Sequence, residues 1–212
     1  MGFASIADKI ALEAEMPWSE RDVPTTLYGL LSRTATKFPN HSAVSYQFFS
    51  GPTDKAETLS WSELHDKTVQ TANLFRKLGV GEKDVVAYIL PNANETTLAL
   101  LGGMVAGIVN PINPLLEADQ IAAILRETGA KVVVTLKAFP KTDVAQKTAE
   151  AVRHAPNVKT VLEVDLNRYL TPPKSWIVPL VRPKNPVAHH AKVLNFVREV
   201  AQQNTTLDFA DS

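Results

Sequence analysis

Hydrophobic residues in the central part of the chain form two kinds of segment. Short, unbroken apolar runs, typical of strands buried on both faces, alternate with longer stretches whose apolar residues recur every three or four positions, typical of helices. The predicted strands and helices occupy residues 84–90, 94–106, 108–109, 117–128, 131–136, 142–154 and 158–164. Strands that alternate with helices through short loops indicate βαβ units. We therefore predict an α/β fold with a mainly parallel sheet flanked by helices on both faces.

The first third of the chain predicts further elements ahead of this unit. Residues 25–38 have helical periodicity, and residues 43–49 are rich in β-branched and aromatic side chains, which favours a strand. Ser60 and Glu63 form a capping box, in which each side chain satisfies a free backbone amide at the start of the next helix. Gly79 is placed to end that helix in the left-handed conformation.

The pattern changes towards the end of the chain. We expect one partial domain, with an α/β layer over residues 20–168 and a proline-rich extended connector over residues 169–187. An amphipathic helix is predicted over residues 188–203, and residues 204–212 form a polar tail with no predicted element. The predicted inward face of that helix consists of Val193, Leu194, Val197 and Val200.

The predicted helix 94–106 is apolar nearly all round and ends in a glycine-rich stretch, Gly102 to Gly107. A phosphate-binding loop needs its glycines between a strand and the start of a helix, where free amides face the anion. Because these glycines lie late in a helix, we interpret them as positions of close helix packing. The sequence contains no G-x-x-x-x-G-K-[ST] and no G-x-S-x-G motif.

Composition narrows the possible partners and location. Twenty-two basic residues balance twenty-two acidic ones, which argues against a nucleic-acid surface and gives no polybasic signal for an anionic membrane. The absence of cysteine excludes disulfides and thiolate zinc sites. The longest apolar stretch, residues 98–109, is shorter than the roughly 20 residues that span a bilayer, and the first residues lack the features of a signal peptide. We expect a cytoplasmic protein without a membrane span.

Several polar residues follow the predicted strands, at the sheet edge where open α/β proteins bind ligands. They are Asn92, Asn94, Asn110, Asn113 and the segment from Thr135 to Lys137. Asparagine can hydrogen-bond a polar ligand, but helix capping and turn formation before proline explain these positions better. We therefore favour a structural role for them over a ligand contact.

No other set of side chains indicates a complete active site. The five histidines are His41, His65, His154, His189 and His190. His189 and His190 would point about 100° apart on a helix and could not easily share a metal ion. We therefore interpret the histidines as surface residues. Glu95 at the start of the apolar helix is explained by the helix dipole. From the residues alone we assign no catalytic, cofactor-binding or metal-binding residue.

An ordered set of short motifs nevertheless resembles the amino-terminal part of the adenylate-forming enzymes, which include acyl-CoA synthetases, luciferases and peptide-synthetase adenylation domains. The motifs, "LSWSEL", "LGVGEKDVV", "PNANE", "AGIVNPINP" and "GAKVVVT", span residues 59–64, 78–86, 91–95, 106–114 and 129–135. The likeness covers about 110 residues, roughly half the chain, and its specificity lies in the order of the set. "NPINP" is more similar to the acyl-CoA synthetases than to the peptide-synthetase domains.

The resemblance implies an intact enzyme that uses ATP, magnesium and coenzyme A. A carboxylic acid, expected to be a fatty acid, would attack ATP to give an acyl-adenylate and pyrophosphate, and the thiol of coenzyme A would then take the acyl group. Magnesium and a lysine would stabilise the charge that develops on the phosphates.

The family's phosphate loop, rich in Ser, Thr and Gly, and its later catalytic residues have no counterpart in this sequence. We therefore expect a chain truncated before the phosphate loop, which is inactive alone and self-associates through exposed apolar surface. Two alternatives are a stand-alone α/β binding or regulatory module and a doubly wound nucleotide-binding protein. The second alternative would need a glycine loop after its first strand, and the sequence has none.

Overall fold

A computed structural model describes residues 4–51, 54–183 and 187–210. The polypeptide begins with helix α1 (Ile6–Glu15), which buries none of its residues, and helix α2 (Leu27–Lys37) follows. Strands β1 (Ser42–Gln47) and β2 (Ala56–Ser60) form an antiparallel hairpin. The predicted helix 25–38 and strand 43–49 are thereby confirmed to within two residues at each end.

Five parallel strands form the central sheet in the order β4-β3-β5-β6-β7. The strands are β3 (Val85–Ile89), β4 (Ile108–Pro111), β5 (Val132–Leu136), β6 (Thr160–Val164) and β7 (Lys192–Asn195). The connecting helices are α4 (Asn94–Ala106), α5 (Ala118–Thr128) and α6 (Val144–Arg153). The predicted α/β fold with a mainly parallel sheet is therefore confirmed.

Helices cover both faces of this sheet because the direction of the crossovers reverses. The step from β3 to β4 through α4 runs one way across the sheet, and the step from β4 to β5 through α5 runs back past β3. Right-handed crossovers then place α4 and α5 on opposite faces. Helix α3 (Trp61–Lys77) packs against α4, and α5 packs against α6. The apolar residues of β3 and β5 lie between these layers, which explains why every residue of β5 is buried.

Local signals at the helix ends act as predicted. Ser60 accepts a hydrogen bond from the Glu63 amide, and the Glu63 carboxylate accepts one from the Ser60 amide at 2.8 Å. Gly79 and Gly129 both have positive φ, at +87° and +66°, where a residue without a Cβ ends the helix without strain. The sequence therefore fixes both ends of α3 through contacts within one turn.

The predicted packing role of the glycines in α4 is confirmed. A Cβ on Gly102 would come within 2.6 Å of the Thr71 side chain on α3, and one on Gly103 within 3.0 Å of Val109. A Cβ on Gly107 would meet the carbonyl oxygens of Gly81 and Asp84 at 2.5 and 2.7 Å. These contacts explain why an apolar helix carries residues that weaken helices in isolation.

The extended connector predicted over residues 169–187 is wrong in part, because helix α7 (Lys174–Val181) lies within it. Prolines at the start of a helix remove no backbone hydrogen bond, since the first amides have no partner within the helix. Pro179 lies inside α7 and leaves the carbonyl of Ser175 without its usual donor. The side-chain amide of Asn167 donates to that carbonyl at 3.1 Å, so the lost hydrogen bond is replaced from outside the helix.

The helix predicted over residues 188–203 is also wrong. Residues 192–195 form β7, which pairs with β6, and only Phe196–Val200 are helical, as α8. The backbone hydrogen bonds to β6 outweigh the helical periodicity of the sequence. Val193 and Val197, predicted to face inward, are exposed, whereas Phe196 is buried and Val200 is buried as predicted. The division of the chain into layer, connector and tail stays a prediction.

No helix in the described ranges is both long and apolar enough to cross a membrane.

Candidate functional site at the carboxyl edge of the sheet

The carboxyl ends of β3 and β5 flank the point where the strand order reverses. Open α/β sheets place their ligands in the crevice at this point. Here the crevice lies between the loop that leads from Ile89 to α4 and the loop that leads from Leu136 to α6. The first turn of α4 and the residues that follow β6 both project to this edge of the sheet.

Glu95, in the first turn of α4, is the most buried charged group at this edge, with its side chain only 3% exposed. The Arg168 guanidinium donates to Glu95 Oε1 through Nη1 at 2.6 Å, and the Tyr169 hydroxyl donates to Oε2 at 2.7 Å. Arg168 and Tyr169 belong to a 3₁₀ turn, Leu166–Tyr169, directly after β6. Each oxygen of the carboxylate therefore has its own donor, and the helix N-terminus adds a favourable dipole.

The same arginine ties the hairpin to the sheet. Arg168 Nη2 donates to both carboxylate oxygens of Glu57 on β2, at 3.1 and 2.8 Å. The Asn94 amide donates to Glu57 Oε1 at 3.0 Å. We call Glu57, Asn94, Glu95, Arg168 and Tyr169 the Glu95 cluster. It joins three segments that are distant in sequence.

Burial and charge in the Glu95 cluster keep its donors protonated. Burial, the hydrogen bond to Glu95 and the charge of Glu95 raise the pKa of the Tyr169 hydroxyl well above its ordinary value. Burial acts to lower the pKa of Arg168, but the carboxylates of Glu95 and Glu57 outweigh it, and the pKa is raised. Arg168 therefore remains a cation and Tyr169 a neutral donor throughout the physiological pH range.

A second group of charges, the Asp165 cluster, follows β5 and β6. The guanidinium of Arg182 donates to both oxygens of Asp165 at 2.8 and 2.9 Å, and Lys137 Nζ lies 3.7 Å from Asp165 Oδ2. Burial acts to raise the pKa of Asp165, but Arg182, the Asn167 amide and Lys137 together hold it below its ordinary value. Burial raises the pKa of the neighbouring Glu163. Asp165, Lys137, Glu163 and Arg182 make up this cluster.

The space beside the Glu95 cluster is small. A cavity of about 70 Å³ is lined by residues that include Glu57, Lys67, Asn94, Leu98 and Phe196. Ligand pockets have volumes of roughly 300–1,000 Å³, so this cavity is too small for a nucleotide or an acyl chain. The buried Asn94 Oδ1 has no hydrogen-bond partner among the described residues, which suits an ordered water there.

The residues present do not fit a triphosphate with its metal ion. The N-terminus of α4 lies at the crevice, and the buried Glu95 carboxylate occupies it, so a phosphate there would meet a fixed negative charge. Residues 4–51, 54–183 and 187–210 contain no cluster of three or more acidic or histidine side chains that could hold a metal. The charged side chains of the Glu95 cluster are paired with one another and hold the hairpin to the sheet edge.

The structure separates the roles of the asparagines that follow the strands. Asn113 Oδ1 accepts a hydrogen bond from the Leu115 amide at 3.0 Å, which confirms its predicted role in a turn. Asn94 does not cap its helix as predicted, because Ala93 takes the cap position and Asn94 bonds to Glu57 instead. Thr135 is buried, and its hydroxyl lies 3.0 Å from that of Thr148. Asn94 Oδ1 and Asn110 Nδ2 are buried and have no hydrogen-bond partner among the described residues.

Sequence reasoning missed the partners of Glu95. The helix dipole accounts for an acid at this position but not for its burial, and a carboxylate that is nearly inaccessible to water needs a cation. Arg168 and Tyr169 lie 73 and 74 residues further along the chain. The available signal was an acid opening an apolar helix, which indicates that a partner exists but not which residue it is.

The fold is that of a doubly wound α/β domain, and the described residues that follow its strands form no glycine-rich phosphate loop. The family described as AMP-binding enzyme matches residues 31–201, so the chain belongs to that family.

Two of the relatives are CoA ligases. A marinolic acid–CoA ligase of Pseudoalteromonas sp. (strain SANK 73390) is 33% identical over 150 residues, which are 71% of this chain and 23% of the relative. A long-chain-fatty-acid–CoA ligase of Bacillus subtilis (strain 168) is 26% identical over 183 residues, 81% of this chain and 30% of the relative.

Solved structures support the same fold. The crystal structure of the anthranilate CoA ligase AuaEII in complex with anthranoyl-AMP aligns with 93% of this chain and 31% of its own, at 18% identity and a TM-score of 0.65. The chain thus spans less than a third of the length of each of these three proteins.

Proposed function

We propose that the chain forms the amino-terminal α/β part of an ATP-dependent acyl-CoA synthetase. A carboxylate attacks ATP, forms an acyl-adenylate and releases pyrophosphate, and the thiol of coenzyme A then displaces AMP from the acyl group. The observation that carries the proposal is the 33% identity to a CoA ligase over 71% of this chain. The long-chain fatty-acid ligase among the relatives favours a fatty acid as the substrate.

We further propose that residues 1–212 are catalytically inactive by themselves. Their own crevice carries a buried carboxylate at the helix N-terminus and a cavity of about 70 Å³, which is too small for a nucleotide. The Glu95 cluster then supports the reacting parts of the enzyme by fixing the sheet, the hairpin and the turn after β6 in one arrangement. ATP, magnesium and coenzyme A would be held by other residues of the intact enzyme.

The test compares the 212-residue chain with the uninterrupted translation product of its gene. Both are incubated with ATP, magnesium and a series of acids, with and without coenzyme A, and pyrophosphate and acyl-CoA are measured. We expect pyrophosphate and acyl-CoA from a longer product and neither from the 212-residue chain. Pyrophosphate without acyl-CoA would indicate an adenylate-forming enzyme that does not use coenzyme A.

Two results would overturn the proposal. If the 212-residue chain releases pyrophosphate, the inactivity of the chain is wrong. If translation ends at Ser212 and no acid is activated, the chain is a stand-alone binding or regulatory module on the same scaffold. Calorimetry with ATP gives an independent measurement, and we expect no heat of binding to the 212-residue chain.

A further inference from the structure

Helices α2 and α3 bring a serine, a histidine and an aspartate into one hydrogen-bonded row. The Ser32 hydroxyl on α2 lies 3.0 Å from Nε2 of His65 on α3. Nδ1 of the same ring lies 3.2 Å from Oδ1 of Asp66. Ser32 and His65 are 33 residues apart in the chain, and the packing of α2 on α3 joins them. A hydroxyl, an imidazole and a carboxylate in this order are the parts of a serine nucleophile and its base.

The carboxylate of Asp66 determines which nitrogen of His65 can act as a base. An ionised carboxylate only accepts hydrogen bonds, so Nδ1 must donate to Asp66, and Nε2 of the neutral ring is then an acceptor. The hydroxyl of Ser32 donates to this Nε2. A general base needs this arrangement, because Nε2 lies within hydrogen-bonding distance of the proton that it has to remove.

Neighbouring side chains restrict the His65 ring. Its side chain is 18% exposed, whereas that of Asp66 is 47% exposed. The ring of Tyr28 packs against the His65 ring, with 5.7 Å between the ring centroids. Tyr28 lies four residues before Ser32, so both side chains project from the same face of α2 towards α3. The imidazole is therefore held between Tyr28, Ser32 and Asp66.

A cavity beside this row has room for a small substrate. Its volume is about 350 Å³, within the range of roughly 300–1,000 Å³ that is typical of ligand pockets. The hydroxyls of Tyr28 and Ser62 make no hydrogen bond to any described residue, so both can donate to a ligand. The lining residues are Tyr28, Ser32, Ala35, Thr36, Ser62 and His65. Since they include no acid, lysine or arginine, the cavity suits an uncharged substrate.

We propose that Ser32 is a nucleophile that takes the acyl group of small uncharged carboxylic esters, with His65 as its base and Asp66 as the residue that positions His65. Ser32 Oγ bonds to the carbonyl carbon while His65 Nε2 takes the hydroxyl proton. The bond from that carbon to the alcohol oxygen breaks, and His65 gives the proton to the leaving alcohol. Water then attacks the acyl group, His65 moves a proton from the water to Ser32 Oγ, and the free acid leaves.

This activity goes beyond the proposed synthetase function and uses no ATP and no coenzyme A. The inactivity proposed above for residues 1–212 concerns the ATP-dependent reaction, which ester hydrolysis does not test. The hydroxyls of Tyr28 and Ser62 take the place that backbone amides have in many oxyanion holes. Hydroxyls on side chains are less rigidly placed than amides, so we expect slow turnover.

The first experiment treats the 212-residue chain with a fluorophosphonate, which bonds to activated serine oxygens with loss of fluoride. Peptide mass spectrometry then locates the product, which we expect on Ser32. His65→Gln should slow the modification about 100-fold, because a general base contributes about 10²–10⁴-fold. Ser45→Ala is the control and should leave the rate unchanged, since the Ser45 hydroxyl bonds to Thr58 and to no imidazole.

The second experiment measures hydrolysis of p-nitrophenyl acetate without ATP. We expect a burst of p-nitrophenol followed by slower turnover, because the acyl group accumulates on Ser32. Ser32→Ala should abolish the burst and at least about 90% of the protein-dependent rate. His154→Gln is the control for reaction at ordinary surface histidines. His154 pairs with Glu150 at 3.1 Å in α6 without a serine, so its loss should leave the burst unchanged.

Substitutions at Asp66 separate positioning from mere stability. Asp66→Asn should lower kcat about tenfold at unchanged KM, because an amide can donate to Nδ1 and favour the wrong tautomer of His65. Asp66→Glu keeps an acceptor and should recover part of kcat. Circular dichroism and thermal unfolding of each variant check the fold, and Ser32→Ala changes only one oxygen atom of a half-buried side chain.

Three results overturn the proposal. These are a chain in which Ser32 is not modified, a Ser32→Ala variant that keeps the burst, and a His65→Gln variant that is modified as fast as the unsubstituted chain. Equal kcat values in Asp66→Asn and Asp66→Glu would overturn the positioning role of Asp66. Because neither assay contains ATP, their failure is distinguishable from a failure of the proposed synthetase function.

Discussion

The Glu95 carboxylate shows how one residue determines the state of a whole sheet edge. Removing an ionised carboxylate from water costs several kcal/mol unless cations and donors compensate it. Arg168 and Tyr169 provide that compensation, one for each oxygen, at 2.6 and 2.7 Å. The same carboxylate fills the helix N-terminus that would otherwise attract a phosphate. The same carboxylate therefore both takes part in the ion pairs of this edge and places a negative charge at the start of α4.

Replacing Tyr169 with phenylalanine tests this compensation. The ring contact to Tyr46, with centroids 4.8 Å apart, remains, while one oxygen of Glu95 loses its donor. A hydrogen bond to a charged group contributes about 1.5–3 kcal/mol, so we expect a loss near 2 kcal/mol in urea unfolding. Tyr88→Phe is the control, because Tyr88 is half-buried and its hydroxyl makes no hydrogen bond to any described residue, and it should change stability by less than about 0.5 kcal/mol. Equal losses in the two variants would show that the Tyr169 hydroxyl is not a significant donor.

At the scale of helices and strands, prediction from the sequence succeeds where the determinants are local. Helix α4 spans Asn94–Ala106 as predicted, and α3 begins at its capping box, because apolar periodicity and end signals lie within a few residues. The helix predicted over residues 188–203 is wrong because β7 forms only through its pairing with β6, some thirty residues earlier in the chain. The extended connector predicted over α7 is wrong because Asn167 compensates for Pro179, and no local sequence pattern shows this contact.

The candidate site could likewise be predicted from the sequence only in part. The sequence places Asn94 and Glu95 at the carboxyl edge of the sheet, since both follow a strand and open a helix. It does not show that Arg168 and Glu57 meet there, because their separation of 111 residues is closed only by the complete fold. A resemblance between short motifs indicates the family, but contacts of this kind follow from tertiary structure alone.

Helix packing makes its own prediction at Gly102. Alanine would stabilise an isolated helix by about 1 kcal/mol relative to glycine. Here its Cβ would lie 2.6 Å from both Cβ and Cγ2 of Thr71, so α3 and α4 must separate, at a cost of about 1–3 kcal/mol. We expect Gly102→Ala to lower the urea midpoint, with a net loss of up to about 2 kcal/mol. The control is Met104→Ala in the same helix, where the side chain is 49% exposed and a near-neutral effect is expected. A stabilised Gly102→Ala variant would contradict the close packing.

At the scale of the whole molecule, residues 204–210 pack against α3. Residues 204–210 have no regular element, as predicted, yet they are bound firmly to α3. The buried Asn73 donates to the carbonyls of Asn204 and Thr206 at 3.1 and 2.8 Å and accepts from the Asp208 amide at 3.0 Å. Arg76 stacks on Phe209 with 4.3 Å between the guanidinium carbon and the ring centroid. A polar composition therefore did not imply a free tail.

Asn73→Ala tests whether this docking is part of the folded unit. The substitution removes three hydrogen bonds at a buried position, each contributing about 1 kcal/mol, so we expect a loss of about 2–3 kcal/mol. Hydrogen exchange at the Asp208 amide should accelerate more than exchange in β5, because the tail opens before the sheet does. Gln70→Ala is the matched control, since it removes a single hydrogen bond, to the carbonyl of Gln203, and leaves the Asp208 amide bonded. If Asp208 exchanges at the same rate in Asn73→Ala as in the unsubstituted protein, the tail is held by Phe209 and its neighbours, and Asn73 stabilises only α3.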